Sequence, residues 1–233
     1  MKPYYSEGGI EIYCGESGEL LPSLIHRANC FATDPPWGIN GGRGGRARFR
    51  KGDYRSDWPD TPEYISSVCI PVVRQLIDAG LPGAVTPGHR CYGIYPQAVS
   101  MGCFWQPCAV GFEPWGQCVM QPILYYGKDP RAGKGQSPTG RQVTEHPPKI
   151  GHPCPKPQKA WNWLVRKVGL PGWTIIDPFG GGGATAVAAQ GLGMGAILID
   201  REERYCETAA NRLSQGVLDF SPSGVTPQES SHA

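Results

Sequence analysis

The chain has 233 residues, a formal net charge of +2 and 39% hydrophobic residues, with ten tyrosines and seven tryptophans among them. That length fits one α/β domain with embellishments, expected over residues 1–218, and the apolar content can fill its core. The near balance of charge excludes a generally polybasic surface, so any attraction to phosphates has to come from local patches. The 33 glycines and 24 prolines anticipate a loop-rich structure. Nine cysteines, an odd number without a Cys-x-x-Cys pair, fit reduced thiols. Cys103 and Cys108 lack the His or Cys partners of a zinc site, and no metal is expected. With no signal-like segment and no apolar run near 18 residues, the expectation is a soluble, cytoplasmic protein away from membranes.

In chain order, Glu11 to Cys14 alternates as a strand does, and Glu19 to Arg27 carries Leu20, Leu21, Leu24 and Ile25 on one helical face. Cys30 to Thr33 is a short buried strand that stops where Asp34-Pro35-Pro36-Trp37 begins, because proline removes a backbone donor. A glycine-rich tether over 38–60 follows, with Arg43, Arg46, Arg48, Arg50 and Lys51, and it suits contact with phosphates. A solvated loop without a partner is the alternative. Thr61 to Ala79 reads as a helix with Val68, Val72, Leu76 and Ile77 as its apolar stripe, bent or interrupted at Pro71. Gly83 to His89 is expected as a further strand.

Residues 103–127 are punctuated by aromatics, and Val110–Trp115 with Pro122–Gly127 are expected as an antiparallel pair. Residues 127–150 read as a long basic surface loop with Lys128, Arg131, Lys134, Arg141 and Lys149. His152-Pro153-Cys154-Pro155-Lys156-Pro157 introduces a helix from Gln158 to Val168 with Trp161, Leu164, Val165 and Val168 inward. Thr174 to Phe179 is a strand pattern running into Gly180-Gly181-Gly182-Gly183 and a helix that includes Thr185, and Ala196 to Asp200 is a second strand ending in an acid. A helix from Glu202 to Gln215 follows, and a tail over 219–233 without apolar period is expected to be disordered.

Two stretches carry chemistry. Asp34 at the carboxyl end of a strand can accept a hydrogen bond from a ring amine, and a carbonyl of Pro35 or Pro36, held by the fixed proline φ, can accept a second. Two acceptors on one amine pull its lone pair out of conjugation and aim it at an electrophile. Trp37 offers a face on which a base can stack. An Asp-Pro turn beside a core tryptophan is the competing account. Downstream, the strand–glycine turn–helix of Thr174 to Ala189 lets a ligand approach backbone N–H groups, and Asp200 stands about 20 residues beyond the turn, where a carboxylate can bind ribose hydroxyls.

With both stretches in place, the chain resembles the S-adenosylmethionine-dependent DNA amino-methyltransferases, adenine N6 or cytosine N4, of the permuted β arrangement in which Asp34 to Trp37 precedes the glycine turn. The resemblance implies a three-layer α/β sandwich on a Rossmann-like methyltransferase sheet, circularly permuted and mostly parallel with one antiparallel hairpin strand. It implies Asp34, Pro35, Pro36 and Trp37 as catalytic residues. For the cofactor it implies His152 and Lys156, the turn Asp177, Pro178, Phe179, Gly180, Gly182 and Thr185, and Asp200. Glu16 would touch the cofactor adenine, although a turn carboxylate explains it equally. The implied partner is double-stranded DNA with its target base flipped out, most simply adenine, since aspartate at the first position is commoner in the N6 enzymes. Cytosine N4, an RNA adenine and a non-catalytic binding module are the alternatives, and a homodimer is compatible with the chain's small recognition region. The implied setting is a bacterial or phage-infected cell.

Overall fold

The computed structural model describes residues 1–39, 60–107, 111–135, 137–150, 152 and 154–214. Arg43, Arg46, Arg48, Arg50, Lys51 and the 219–233 tail lie outside the described residues. The first elements are β1 (Tyr5–Glu7), β2 (Ile10–Cys14), α1 (Ser17–Leu24) and β3 (Cys30–Thr33). They are followed by α2 (Pro62–Tyr64), a π-helical turn (Ile65–Cys69), α3 (Ile70–Asp78), β4 (Gly83–Val85) and α4 (Gly88–Cys91). The middle of the chain forms β5 (Ser100–Trp105), β6 (Gly111–Glu113), β7 (Gly116–Cys118), β8 (Met120–Tyr126) and β9 (Arg141–Gln142). It ends in α5 (Gln158–Val168), β10 (Thr174–Asp177), α6 (Ala184–Gln190), β11 (Gly195–Asp200) and α7 (Glu203–Ser214).

One sheet has the order β1-β2-β11-β10-β3-β4-β8-β5-β9. Its centre, β2 to β4, is parallel, while β8 runs antiparallel to β4 and β5 antiparallel to β8. Side chains along a strand alternate between faces, and two cores result. On β11, Ala196 and Leu198 face the core built with α5, α6 and α7, while Ile197 and Ile199 face the one built with α1 and α3. Ile175 and Ile176 of β10 divide in the same way. Both faces of the central strands are covered, which is why they read as continuous apolar runs. This is a three-layer sandwich. The Asp34 strand precedes the glycine-turn strand in the chain yet lies beside it in the sheet, as the permuted order requires.

Pro71 does not break its helix. The segment from Pro62 to Asp78 stays helical because a π turn directly before the proline accommodates the missing backbone donor. The extra residue in that turn rotates the buried face. Val72 and Leu76 are buried as expected, but Ile65, Cys69 and Val73 join them, and Val68 and Ile77 are only half-buried.

Three further expectations are corrected. β8 pairs with β5 and not with residues 110–115, which contribute β6 to a separate two-stranded ribbon with β7. Trp115 stands at the turn of that ribbon, fully exposed. Gly102 makes room for the crossing chain at this edge, since a Cβ there would lie 1.7 Å from the Thr139 carbonyl oxygen. The stretch 127–150 is not wholly a loop. It supplies β9, paired in parallel with β5, it buries Val143, and Glu145 Oε1 accepts a hydrogen bond from Ala160 N at 2.7 Å at the start of α5. Of its cations, Lys128, Lys134 and Lys149 are exposed, whereas Arg131 donates to the Gly169 carbonyl at 2.8 Å. Finally, the strand at Gly83 ends at Val85, and the chain turns at Gly88 into α4.

Candidate active site

Three neighbouring strands bring polar groups to one point on the sheet's rim: Asp34 just after β3, Thr86 just after β4, and Gln121 near the start of antiparallel β8. Asp34 Oδ1 accepts hydrogen bonds from Thr86 Oγ1, from Trp37 Nε1 at 3.2 Å and from Gln121 Nε2 at 3.4 Å. Asp34 Oδ2 pairs with Lys156 Nζ at 2.5 Å, with side chains only 17% and 16% exposed. The same ammonium lies 4.5 Å from the centre of the Trp37 ring, within cation–π range. Trp37 is held edge-on by His89, with centroids 6.2 Å apart, and it rests on Gly88. Gly38 N donates to Asp60 Oδ1 at 2.6 Å. That bond ties together the two ends of the basic segment, and Ile39 and Asp60 both line the cavity described below.

The glycine turn is shaped from beneath. Asp177 is buried, and its carboxylate accepts from Thr33 Oγ1 at 2.7 Å, Thr185 Oγ1 at 2.5 Å and Phe179 N at 3.0 Å. Trp161 Nε1 in turn donates to Thr185 Oγ1 at 2.8 Å. One acid thus fastens β3, β10 and α6 together. Burial pushes its pKa up to about 6, opposed by those same hydrogen bonds. Asp200 Oδ2 accepts from Gly181 N at 2.8 Å and Oδ1 from Glu202 N at 2.9 Å. Each oxygen keeps a further lone pair. Burial raises the Asp200 pKa to about 6 as well. Arg212 donates to the Gly182 carbonyl and, at 2.7 Å, to Gln158 Oε1, and Ser17 donates to the Pro178 carbonyl. His152 lies over the turn against Tyr205, 4.5 Å between centroids, and burial lowers its pKa to about 4, so the ring is neutral near pH 7.

All the catalytic and cofactor-binding candidates named from the sequence, from Glu16 to Asp200, line one cavity of about 260 Å3. Glu16 is the most exposed of the acids, with Arg201 at 3.3 Å. A nucleoside-sized ligand fits the donors and acceptors present: backbone N–H groups at the turn, spare lone pairs on Asp200, and apolar walls from Phe179, Val68 and Tyr64. A Cβ at Gly182 would lie 2.8 Å from Ile150 Cδ1, so the turn needs glycine to keep that wall close. Sequence reasoning missed Thr86, Gln121, Ser17, Tyr205 and Arg212. For Thr86 and Gln121 a signal existed, a polar residue at the end of a buried apolar run. For Arg212 and Tyr205, one turn of α7 or less from ordinary core positions, none did.

Fold and site together are those of a Rossmann-like α/β domain with a ligand cavity at the carboxyl ends of its central strands. A family model described as DNA methylase matches residues 100–211. Over 78 residues the chain is 31% identical to the type II methyltransferase M.HinfI of Haemophilus influenzae, a stretch that covers 33% of this chain and 22% of that relative. The chain therefore aligns with about a fifth of the relative's length. The fold is similar to that of the M1.HpyAVI–SAM complex, with a TM-score of 0.62, 17% identity, and coverage of 87% of this chain and 99% of the other. It is also similar to that of the cytosine-N4-specific PvuII DNA methyltransferase, with a TM-score of 0.61, 17% identity, and coverage of 91% and 88%. These findings support the family that the two sequence stretches resemble, the S-adenosylmethionine-dependent DNA amino-methyltransferases. Among the described residues no helix is long and apolar enough to cross a membrane.

Proposed function

We propose that this protein transfers a methyl group from S-adenosylmethionine to the exocyclic amine of a DNA base, adenine N6 being the first choice and cytosine N4 the second. The observation that carries the reading is the single cavity into which Asp34-Pro35-Pro36-Trp37 and the Asp177–Gly182 turn both open, although they lie far apart in the chain. S-adenosylmethionine, when bound, supplies a methyl group on a sulfonium. The protein then has mainly to hold an amine in line with it. Asp34 accepts from the amine, Pro35 and Pro36 fix the approach, and Trp37 stacks the base, which enters flipped out of its duplex. Gly180 to Gly182 present backbone N–H groups to the cofactor's amino-acid end, Lys156 offers its carboxylate a cation, and Asp200 receives ribose hydroxyls.

Nucleoside mass spectrometry on DNA from methyltransferase-deficient cells expressing the wild type or Asp34→Ala tests this. N6-methyladenine in the wild type alone is the expected result. N4-methylcytosine would move the assignment to the second choice, and methylated RNA or no product would overturn the DNA reading.

The pKa of Asp200 gives a pH dependence. Above about pH 6 the carboxylate is ionised and accepts strongly from hydroxyl donors; below it the acid is protonated. Cofactor affinity, measured by calorimetry, should fall as pH drops from 7.5 to 5, and Asp200→Asn should bind about tenfold more weakly with most of that dependence gone. Stability moves the other way. An acid raised in the folded state from 3.8 to about 6 stabilises the fold at low pH and loses that contribution as pH rises through 6. Asp177 and Asp200 both act in this sense, and His152, lowered to about 4, opposes one of them over the same range.

The basic segment makes a separate prediction. Arg43→Ala, Arg46→Ala and Arg48→Ala together should weaken DNA binding and reduce its log–log salt slope by up to about 3, one for each phosphate that is no longer neutralised. Cofactor affinity should stay the same. An unchanged slope returns the segment to the solvated account.

A further inference from the structure

The two oxygens of Asp34 are not equivalent. Oδ1 already accepts from Thr86, Trp37 and Gln121, whereas the partner of Oδ2 among the described residues is the ammonium of Lys156. A target amine therefore has to be received on Oδ2. Lys156 Nζ stands there, at 2.5 Å, and it also covers the face of Trp37 at 4.5 Å. It makes the two interactions that the preceding reading gives to the target base, a donor on the carboxylate and a partner on the indole face.

We propose that Lys156 is a positioning residue that occupies the place of the target amine and couples base entry to cofactor binding. The inference rests on the assignment of Asp34 and Trp37 above. Oδ2 has a second lone pair, but the ammonium also stands over the Trp37 ring. A base stacked on that face with its amine on Oδ2 therefore meets Lys156 and enters only when Lys156 leaves. Removing a cation from a carboxylate in a largely buried site is costly unless the cation finds another anion. Ile150, His152, Cys154 and Pro155, which precede Lys156, line the same cavity as the glycine turn, Ile150 and His152 lie against Gly182 and Gly181, and His152 is neutral. A ligand carboxylate at the turn is then the acceptor to which Lys156 can swing. With it bound, Oδ2 is open to the base. By linkage, cofactor and DNA should each strengthen the binding of the other.

The experiment measures affinity by fluorescence anisotropy for a duplex carrying the site read from methylated DNA, with and without saturating S-adenosylhomocysteine, which keeps the same carboxylate. In the wild type the ligand should tighten binding about tenfold or more. In Lys156→Gln, DNA should already bind more tightly without ligand and gain less than about twofold on its addition. Lys156→Arg, which keeps the cation, should restore the coupling. Equal coupling in wild type and Lys156→Gln, with DNA bound by both, overturns the inference alone. No DNA binding by either protein overturns the functional reading as well. A second measurement needs no glutamine variant. The 15N ammonium signal of Lys156, assigned by its loss in Lys156→Arg, should shift on adding the ligand and again on adding target duplex but not a duplex abasic at the target. An ammonium signal indifferent to both additions overturns the proposal.

Discussion

Asp34→Ala should leave a folded protein that binds S-adenosylhomocysteine within about threefold of wild type and transfers methyl groups at least about a thousandfold more slowly. The size follows from the geometry. Asp34 is the acceptor on which the amine has to be oriented, and interactions realised as charge develops are worth more than ground-state contacts. The carboxylate takes no part in the glycine turn, whose fastening runs through Asp177 and Asp200, so cofactor affinity is spared. Asp34→Asn sharpens the test. Its carbonyl oxygen would be claimed by the donors Thr86, Trp37 and Gln121. Its NH2 would then face Lys156 and the incoming amine, donor against donor. A near-isosteric residue should therefore be nearly as slow as alanine. Single-turnover measurement of labelled methyl transfer checks both variants, and a rate within tenfold of wild type for either would remove Asp34 from the chemistry.

The second large effect is expected at Gly88, a residue the methyl transfer never touches. Its φ is +71°, and a Cβ there would stand 2.5 Å from Trp37 Cγ and 2.7 Å from Trp37 Cβ. Gly88→Ala combines a left-handed backbone with a collision against an indole pinned by Asp34 and His89. Together these should cost about 2–4 kcal/mol of stability, a melting point lower by roughly 5–15 °C for a chain of this size. The displaced ring should also weaken base binding, raising KM for DNA more than it lowers cofactor affinity. Trp37→Ala in the Gly88→Ala background removes the collision with the indole ring, but neither the contact with the Cβ at position 37 nor the backbone strain. The double variant should therefore be more stable than the sum of the two single losses, a coupling read directly from a double-mutant cycle. Strict additivity would mean that the indole yields without cost.

The chain's local patterns determined the strands that end in Asp34, Asp177 and Asp200, the face of α5 with Trp161, Leu164, Val165 and Val168, and the two stretches that meet in the cavity. These features are local: apolar runs bounded by proline or glycine, or a helical period. Their signals survive in a single sequence because strand and helix periodicity need no knowledge of a partner. What the tertiary structure decided is of another kind. Which strand pairs with β8, and whether residues 127–150 supply an edge strand, depend on backbone partners that no periodicity names. The rotated face of the helix across the π turn follows from one extra residue beside Pro71, invisible to a fixed 3.6-residue period. Thr86 and Gln121 reach Asp34 only because β3, β4 and β8 are neighbours in the sheet. The position of Lys156 on Oδ2 of that aspartate was likewise settled by packing, since an ammonium takes whichever carboxylate the fold brings within reach, at any distance along the chain.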